Sequence, residues 1–122
     1  MYRLSIQTNI SAAHLIRGYE GPCARLHGHN WKLKVDVTAS VLNEIGMAID
    51  FKDLKDITWK VAGRYDHQNF NEIAPFDKIN PTAENVAKYF FEEIDRLLPE
   101  GIHMAKISLW ETEKYLVEYS EK

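Results

Sequence analysis

The longest strict alternation in the chain lies at residues 31–41. Trp31, Leu33, Val35, Val37, Ala39 and Val41 are apolar; Lys32, Lys34, Asp36, Thr38 and Ser40 between them are polar. A period of two predicts a strand buried on one face. Residues 2–9 repeat the pattern, with Tyr2, Leu4 and Ile6 set against Arg3, Ser5 and Gln7, and predict a first strand. Beyond residue 50 the period lengthens. Leu54, Ile57 and Val61, with Ala62 on the flank, form a helical stripe. Asp50 stands where an N-cap belongs, Asp53 lies in the first turn, and Gly63 closes the helix. A second stripe, Ala87, Phe90, Phe91, Ile94, Leu97 and Leu98, follows Thr82 as N-cap and stops at Pro99-Glu-Gly101. Two strands are predicted at about 103–111 and 114–120, joined by a short connection into an antiparallel hairpin. In the first, Ala105, Ile107, Leu109 and Glu111 share a parity.

The order ββααββ predicts an α+β fold: a four-stranded antiparallel sheet with two helices on one face. The other face would be open in a monomer. Trp31, Trp110 and the strand tyrosines lead to the expectation that part of it is buried between subunits. A length of 122 residues fits one domain, residues 1–122, and 45% hydrophobic residues suffice for a core. A formal charge of −3 gives no reason to expect a nucleic-acid partner. No apolar run reaches membrane-spanning length, and the first residues lack a signal-peptide core, so a cytoplasmic location is expected.

The chemistry gathers just before the long strand, in Cys23-Ala-Arg-Leu-His27-Gly-His29-Asn-Trp31. Carrying the strand's parity backward puts His27 and His29 on Trp31's face, about 7 Å apart at Cα, close enough to converge on one ion. Such a pair alone is more often just two polar residues at a strand entrance. A catalytic zinc site takes three protein ligands and keeps a fourth position open. If the first two strands pair antiparallel, His14 near the end of the first is a reasonable third ligand. Residues 15–26 form a long loop with Gly18, Gly21 and Pro22, of the kind that often carries function. Cys23, the single cysteine, has no internal partner for a disulfide. Asp66-His67 sets a carboxylate beside an imidazole, an arrangement that orients a proton-transfer group.

Five motifs, Ile10-Ser-Ala-Ala-His14, Cys23-x3-His27-Gly-His29, Asp66-His67, Pro81-Thr-Ala-Glu-Asn85 and Trp110-Glu-Thr112, occur in the order of the 6-pyruvoyltetrahydropterin synthase family. The resemblance spans nearly the whole chain. The three residues between Cys23 and His27 resemble the bacterial and archaeal branch, 6-carboxytetrahydropterin synthase, of the queuosine pathway. Pyruvoyl-forming members usually have five. A third, aldolase-like branch uses a glutamate near this position, where Ala24, Arg25 and Leu26 stand here. Ile10, Tyr65 and Phe70 are mild departures from the pattern.

The resemblance implies a tunnelling fold whose subunits close their sheets into a trimeric β-barrel, two of which commonly stack into a hexamer with active sites between chains. It implies a zinc-dependent lyase acting on 7,8-dihydroneopterin triphosphate, the alternatives being pyruvoyl-forming or aldolase chemistry and a non-catalytic zinc-binding oligomer. His14, His27 and His29 would hold zinc. Cys23, Asp66 and His67 would be catalytic, Asp66-His67 acting beside a Cys23 from another chain. Glu111 would anchor the pterin ring, and Thr82 and Glu84 would help hold it from a neighbouring subunit. Arg25 or Arg64 could meet the triphosphate, and His103 reads as surface.

Overall fold

The computed structural model describes residues 1–121. Strands β1 (Tyr2–His14) and β2 (His27–Ala39) come first. Helix α1 (Phe51–Ala62), a two-residue strand β3 (Gln68–Asn69) and helix α2 (Ala83–Leu97) follow, before strands β4 (Ile102–Thr112) and β5 (Tyr115–Tyr119). The α+β class and the two helices are as expected. The sheet is not: it has five strands in the order β3-β1-β2-β4-β5, and β3 runs parallel to β1. The four long strands do pair antiparallel. A strand of two residues carries no periodicity of its own. Ala12 and Ala13 pair with Gln68 and Asn69, a contact visible only in three dimensions.

β1 is five residues longer than predicted and reaches His14. Leu4, Ile6, Thr8, Ile10, Ala12 and His14 keep one parity throughout and grow more buried toward the end. The register of β1 on β2 sets Ile10 opposite Trp31, Ala12 opposite His29 and His14 opposite His27. In β4 the predicted face slips. A bulge opposite Asp36 and Val37 takes up Ala105, so Ile102 and Met104 are buried before it and Ile107 and Leu109 after it. Such an extra residue reverses the parity of everything beyond it.

The helices pack on the face formed by Trp31, Leu33, Val35, Val37, Ile107 and Leu109, all fully buried. Tyr65, Phe70, Phe76 and Phe90 fill the space above Trp31, with ring centroids 4.8 Å apart for Tyr65 and Phe70 and 5.5 Å for Trp31 and Phe70. Asp50 caps α1 by accepting from the Lys52 N–H at 2.8 Å, and Thr82 caps α2 by accepting from the Asn85 N–H at 3.1 Å. Gly63, which follows α1, has ordinary helical angles, and its need for glycine is one of packing: a Cβ there would lie 2.7 Å from the Trp59 indole.

The other face of the sheet corrects one expectation. Trp31 lies under the helices, not on the open face. That open face is polar, carrying an ion pair between Arg3 and Asp36 and another between Lys106 and Glu118, with Lys32 over the Trp110 ring. Among the described residues, no helix is long and apolar enough to cross a membrane.

Candidate metal centre and active site

Alternation, register and one strand end build the centre. His14, His27 and His29 leave the helix-side face of the sheet where β1 ends and β2 begins. Glu111, two residues beyond the buried Leu109, enters from β4. One candidate ligand atom from each of the four lies within 4.8 Å of every other. The centre sits against Trp31, whose indole N–H donates to the Ala12 carbonyl at 3.1 Å and whose ring edge faces His14 and His29 at 4.9 and 5.5 Å. This apolar floor limits water and raises the value of charge–charge interactions above it.

Two of the three imidazoles are already oriented. His14 Nδ1 lies 2.7 Å from the Pro81 carbonyl, and His27 Nδ1 lies 2.7 Å from the Arg25 carbonyl. A carbonyl only accepts, so each Nδ1 carries the proton and Nε2 is left as the free nitrogen. That is the usual outer support of a metal-bound histidine. The Nε2 atoms of His14 and His29 are buried and make no hydrogen bond. They lie 3.0 and 3.4 Å from Glu111 Oε2, within ion-pair reach but without hydrogen-bond alignment. Two lone pairs and a carboxylate oxygen this close repel unless a cation or proton lies among them. The donor set therefore fits a divalent metal, and three nitrogens with tetrahedral freedom suit zinc.

The charges follow this geometry. With a proton rather than a metal on His14 Nε2, the His14 imidazolium holds the Glu111 carboxyl below its usual range, against the opposing effect of burial, and His29 and His27 add to the depression. Burial pushes His29 down, and His14 and His27 push the same way, while Glu111 pulls it up. A histidine kept neutral is a histidine ready to bind metal.

A cavity of about 980 Å³ opens beside the centre. His29 and Glu111 line one side, Asp66 and His67 another, with Lys32 and Trp110 on the sheet. Gly28, between His27 and His29, also lines it and adds no side chain. Asp66 and His67 are held by β1. Asp66 Oδ1 accepts from the Ser11 N–H at 2.9 Å, and the His67 N–H donates to the Ser11 carbonyl at 2.6 Å. The Ser11 N–H is the main reason the Asp66 carboxyl sits below its ordinary value; His67 contributes. His67 adopts a left-handed φ of 59°, uncommon for a residue with a side chain. Its Nδ1 lies 3.1 Å from Asp66 Oδ2, and its ring is largely exposed.

The remaining predicted residues lie apart. Cys23 is exposed in a short 3-10 turn, Pro22–Ala24, and is not among the clustered ligands. Thr82 is engaged as the cap of α2, and Glu84 is exposed in its first turn. Arg25 is exposed, with its carbonyl on His27; Arg64 lies over the Tyr65 ring at 5.4 Å; His103 is exposed. Sequence reading missed the closeness of Glu111 to the histidines and the supporting carbonyls of Pro81 and Arg25. A backbone acceptor leaves no mark in a sequence. The position of Glu111 was partly legible in its shared parity with Leu109.

Comparison with known proteins identifies the family. The family described as 6-pyruvoyl tetrahydropterin synthase matches residues 3–122. A 6-carboxy-5,6,7,8-tetrahydropterin synthase of Haemophilus influenzae is 34% identical, the match covering 99% of this chain and 100% of that one. A dihydroneopterin monophosphate aldolase of Pyrococcus furiosus is also 34% identical, over 95% of each chain. The structure of Caenorhabditis elegans 6-pyruvoyl tetrahydropterin synthase superposes with a TM-score of 0.86 at 28% identity, covering 99% of this chain and 96% of that one. The chain belongs to the 6-pyruvoyl tetrahydropterin synthase family.

Proposed function

We propose that this pterin-synthase-type lyase converts 7,8-dihydroneopterin triphosphate and one water to 6-carboxy-5,6,7,8-tetrahydropterin, acetaldehyde and triphosphate, with zinc as cofactor, in the queuosine pathway of the cytoplasm. The observation that carries the reading is the convergence of His14, His27 and His29 around buried, unbonded Nε2 atoms. Those three histidines would hold the ion. When bound, zinc would supply Lewis-acid polarisation of the substrate's side-chain oxygens and so acidify the neighbouring C–H. The protein's own groups do the rest. Glu111, as a carboxylate, accepts paired hydrogen bonds from the amino-pyrimidine edge of the ring. Asp66 orients His67, which moves a proton between solvent and the reacting centre. Cys23, from a neighbouring chain of a trimer or hexamer, moves the other proton, and Thr82 and Glu84 hold the pterin across the same boundary.

The aldolase reading is favoured by the Pyrococcus relative, which is as similar as the Haemophilus one. It is disfavoured by Ala24, Arg25 and Leu26, where that branch needs a glutamate, and by Cys23 itself.

Two variants studied side by side test the assignment of roles. Cys23→Ala should keep zinc and pterin affinity near wild type while turnover falls at least roughly a hundredfold, the scale of a lost proton-transfer group. Glu111→Ala should keep zinc and lose pterin binding. Zinc loss in Cys23→Ala would make the thiol a ligand and overturn the mechanism; full activity would remove Cys23 from it.

A further inference from the structure

β1 ends at His14, yet the chain beyond it is bonded as if the sheet continued. The Leu15 N–H donates to Asn71 Oδ1 at 2.9 Å, and Asn71 Nδ2 donates back to the Leu15 carbonyl at 3.0 Å. Two residues on, the Arg17 N–H donates to Asn80 Oδ1 at 2.9 Å and Asn80 Nδ2 donates to the Arg17 carbonyl at 2.9 Å. Each carboxamide therefore exchanges both bonds with one residue, as a strand neighbour does in an antiparallel pair. The residue between them, Ile16, turns the other way and donates to the Cys23 carbonyl at 2.9 Å. An amide side chain is the only kind that offers a donor and an acceptor side by side with the spacing of a peptide group.

We infer that Asn71 and Asn80 are positioning residues: their side chains stand in for a missing strand and set the place of His14 and of the segment that carries Cys23. The ladder joins the functional parts of the chain. Asn71 follows Asp66-His67 by a few residues, in the turn Phe70–Glu72. Asn80 precedes Pro81, whose carbonyl orients His14, and its own carbonyl accepts from Asn85 Nδ2 at 2.9 Å in the first turn of α2. Arg17 adds a further tie, donating from Nη2 to the Phe76 carbonyl at 2.6 Å. A shift of residues 15–17 therefore moves His14 on one side and, through Ile16, the Cys23 turn on the other. The inference rests on reading the histidines as zinc ligands.

The test compares Asn71→Ala and Asn80→Ala with the isosteric Asn71→Asp and Asn80→Asp, and with Asp50→Ala as a control. The last removes the α1 cap and touches none of these groups. All should lower Tm by a few degrees. In both alanine variants, amide hydrogen exchange at residues 15–17 should quicken by at least about tenfold while β2 is unchanged. Zinc affinity, measured against a chelator, should weaken roughly tenfold, the scale of a lost outer support of a metal ligand. The aspartates keep the acceptor half of each pair and should fall between, and they also serve should an alanine variant not fold. Asp50→Ala should bind zinc as wild type does. Unaltered zinc affinity in the asparagine variants, or equal weakening in Asp50→Ala, would overturn the positioning role. A wild-type protein that binds no zinc would overturn the zinc reading instead; unchanged exchange at residues 15–17 in the variants would then still overturn the ladder.

Discussion

The Nε2 atom of His14 has a buried lone pair because its Nδ1 is committed to the Pro81 carbonyl. At His14 and His27 the centre therefore depends on which ring nitrogen is free, and a backbone acceptor decides that. His14→Ala should abolish tight zinc binding, since two histidines leave too few ligands for a catalytic site; metal analysis of the purified protein checks it. Asp66 gives a pH prediction. Its folded pKa lies below the carboxyl value of 3.8. Its contribution to stability is therefore present above the unfolded value and is lost as pH falls through the folded one. Asp66→Ala should cost about 1 kcal/mol at neutral pH, less than is usual for a hydrogen bond to a charged group because water also reaches this one. The gap from wild type should close in acid below 3.8. A gap that stays constant through that range in denaturant titrations would assign the loss to packing.

The elements show how far alternation and caps carry a reading. Asp50→Ala should destabilise the fold by about 1 kcal/mol, the usual cost of a lost N-cap; chemical denaturation measures it, and no change would mean that the Lys52 N–H finds water at no cost. Both helices, their caps and the pairing of β1 with β2 were legible, because each rests on local periodicity or on one polar side chain at a fixed offset. His27 and His29 were legible for the same reason. The signal for a longer β1 was also there, in the unbroken parity from Leu4 to His14, although Thr8, Ala12 and His14 dilute its hydrophobic contrast. The bulge at Ala105 was not legible, since nothing in Met104-Ala-Lys106 distinguishes an extra residue from a paired one. Nor was β3, whose two residues exist as a strand only because β1 lies beside them. Trp31 was placed on the wrong face by its chemistry, although its parity with Leu33 and Val35 had already put it in the core.

At the scale of the molecule, the sheet has β5 at one edge and, at the other, β1 wherever the two residues of β3 do not cover it. Tyr115 and Leu116 are exposed on β5, and Tyr2, Val41, Ile45 and Phe51 are exposed elsewhere. Edges and exposed apolar groups of this kind call for partners or protection. The protein should be a trimer or hexamer by light scattering, and a stable, active monomer would rule out a site shared between chains. The central claim is the reaction itself. Zinc-loaded protein should be incubated with 7,8-dihydroneopterin triphosphate and the products identified by mass spectrometry. 6-Carboxy-5,6,7,8-tetrahydropterin and acetaldehyde should form in equal amounts, with triphosphate released. A pyruvoyl pterin, an aldolase-type cleavage product, or no turnover by protein with a full complement of zinc would contradict it.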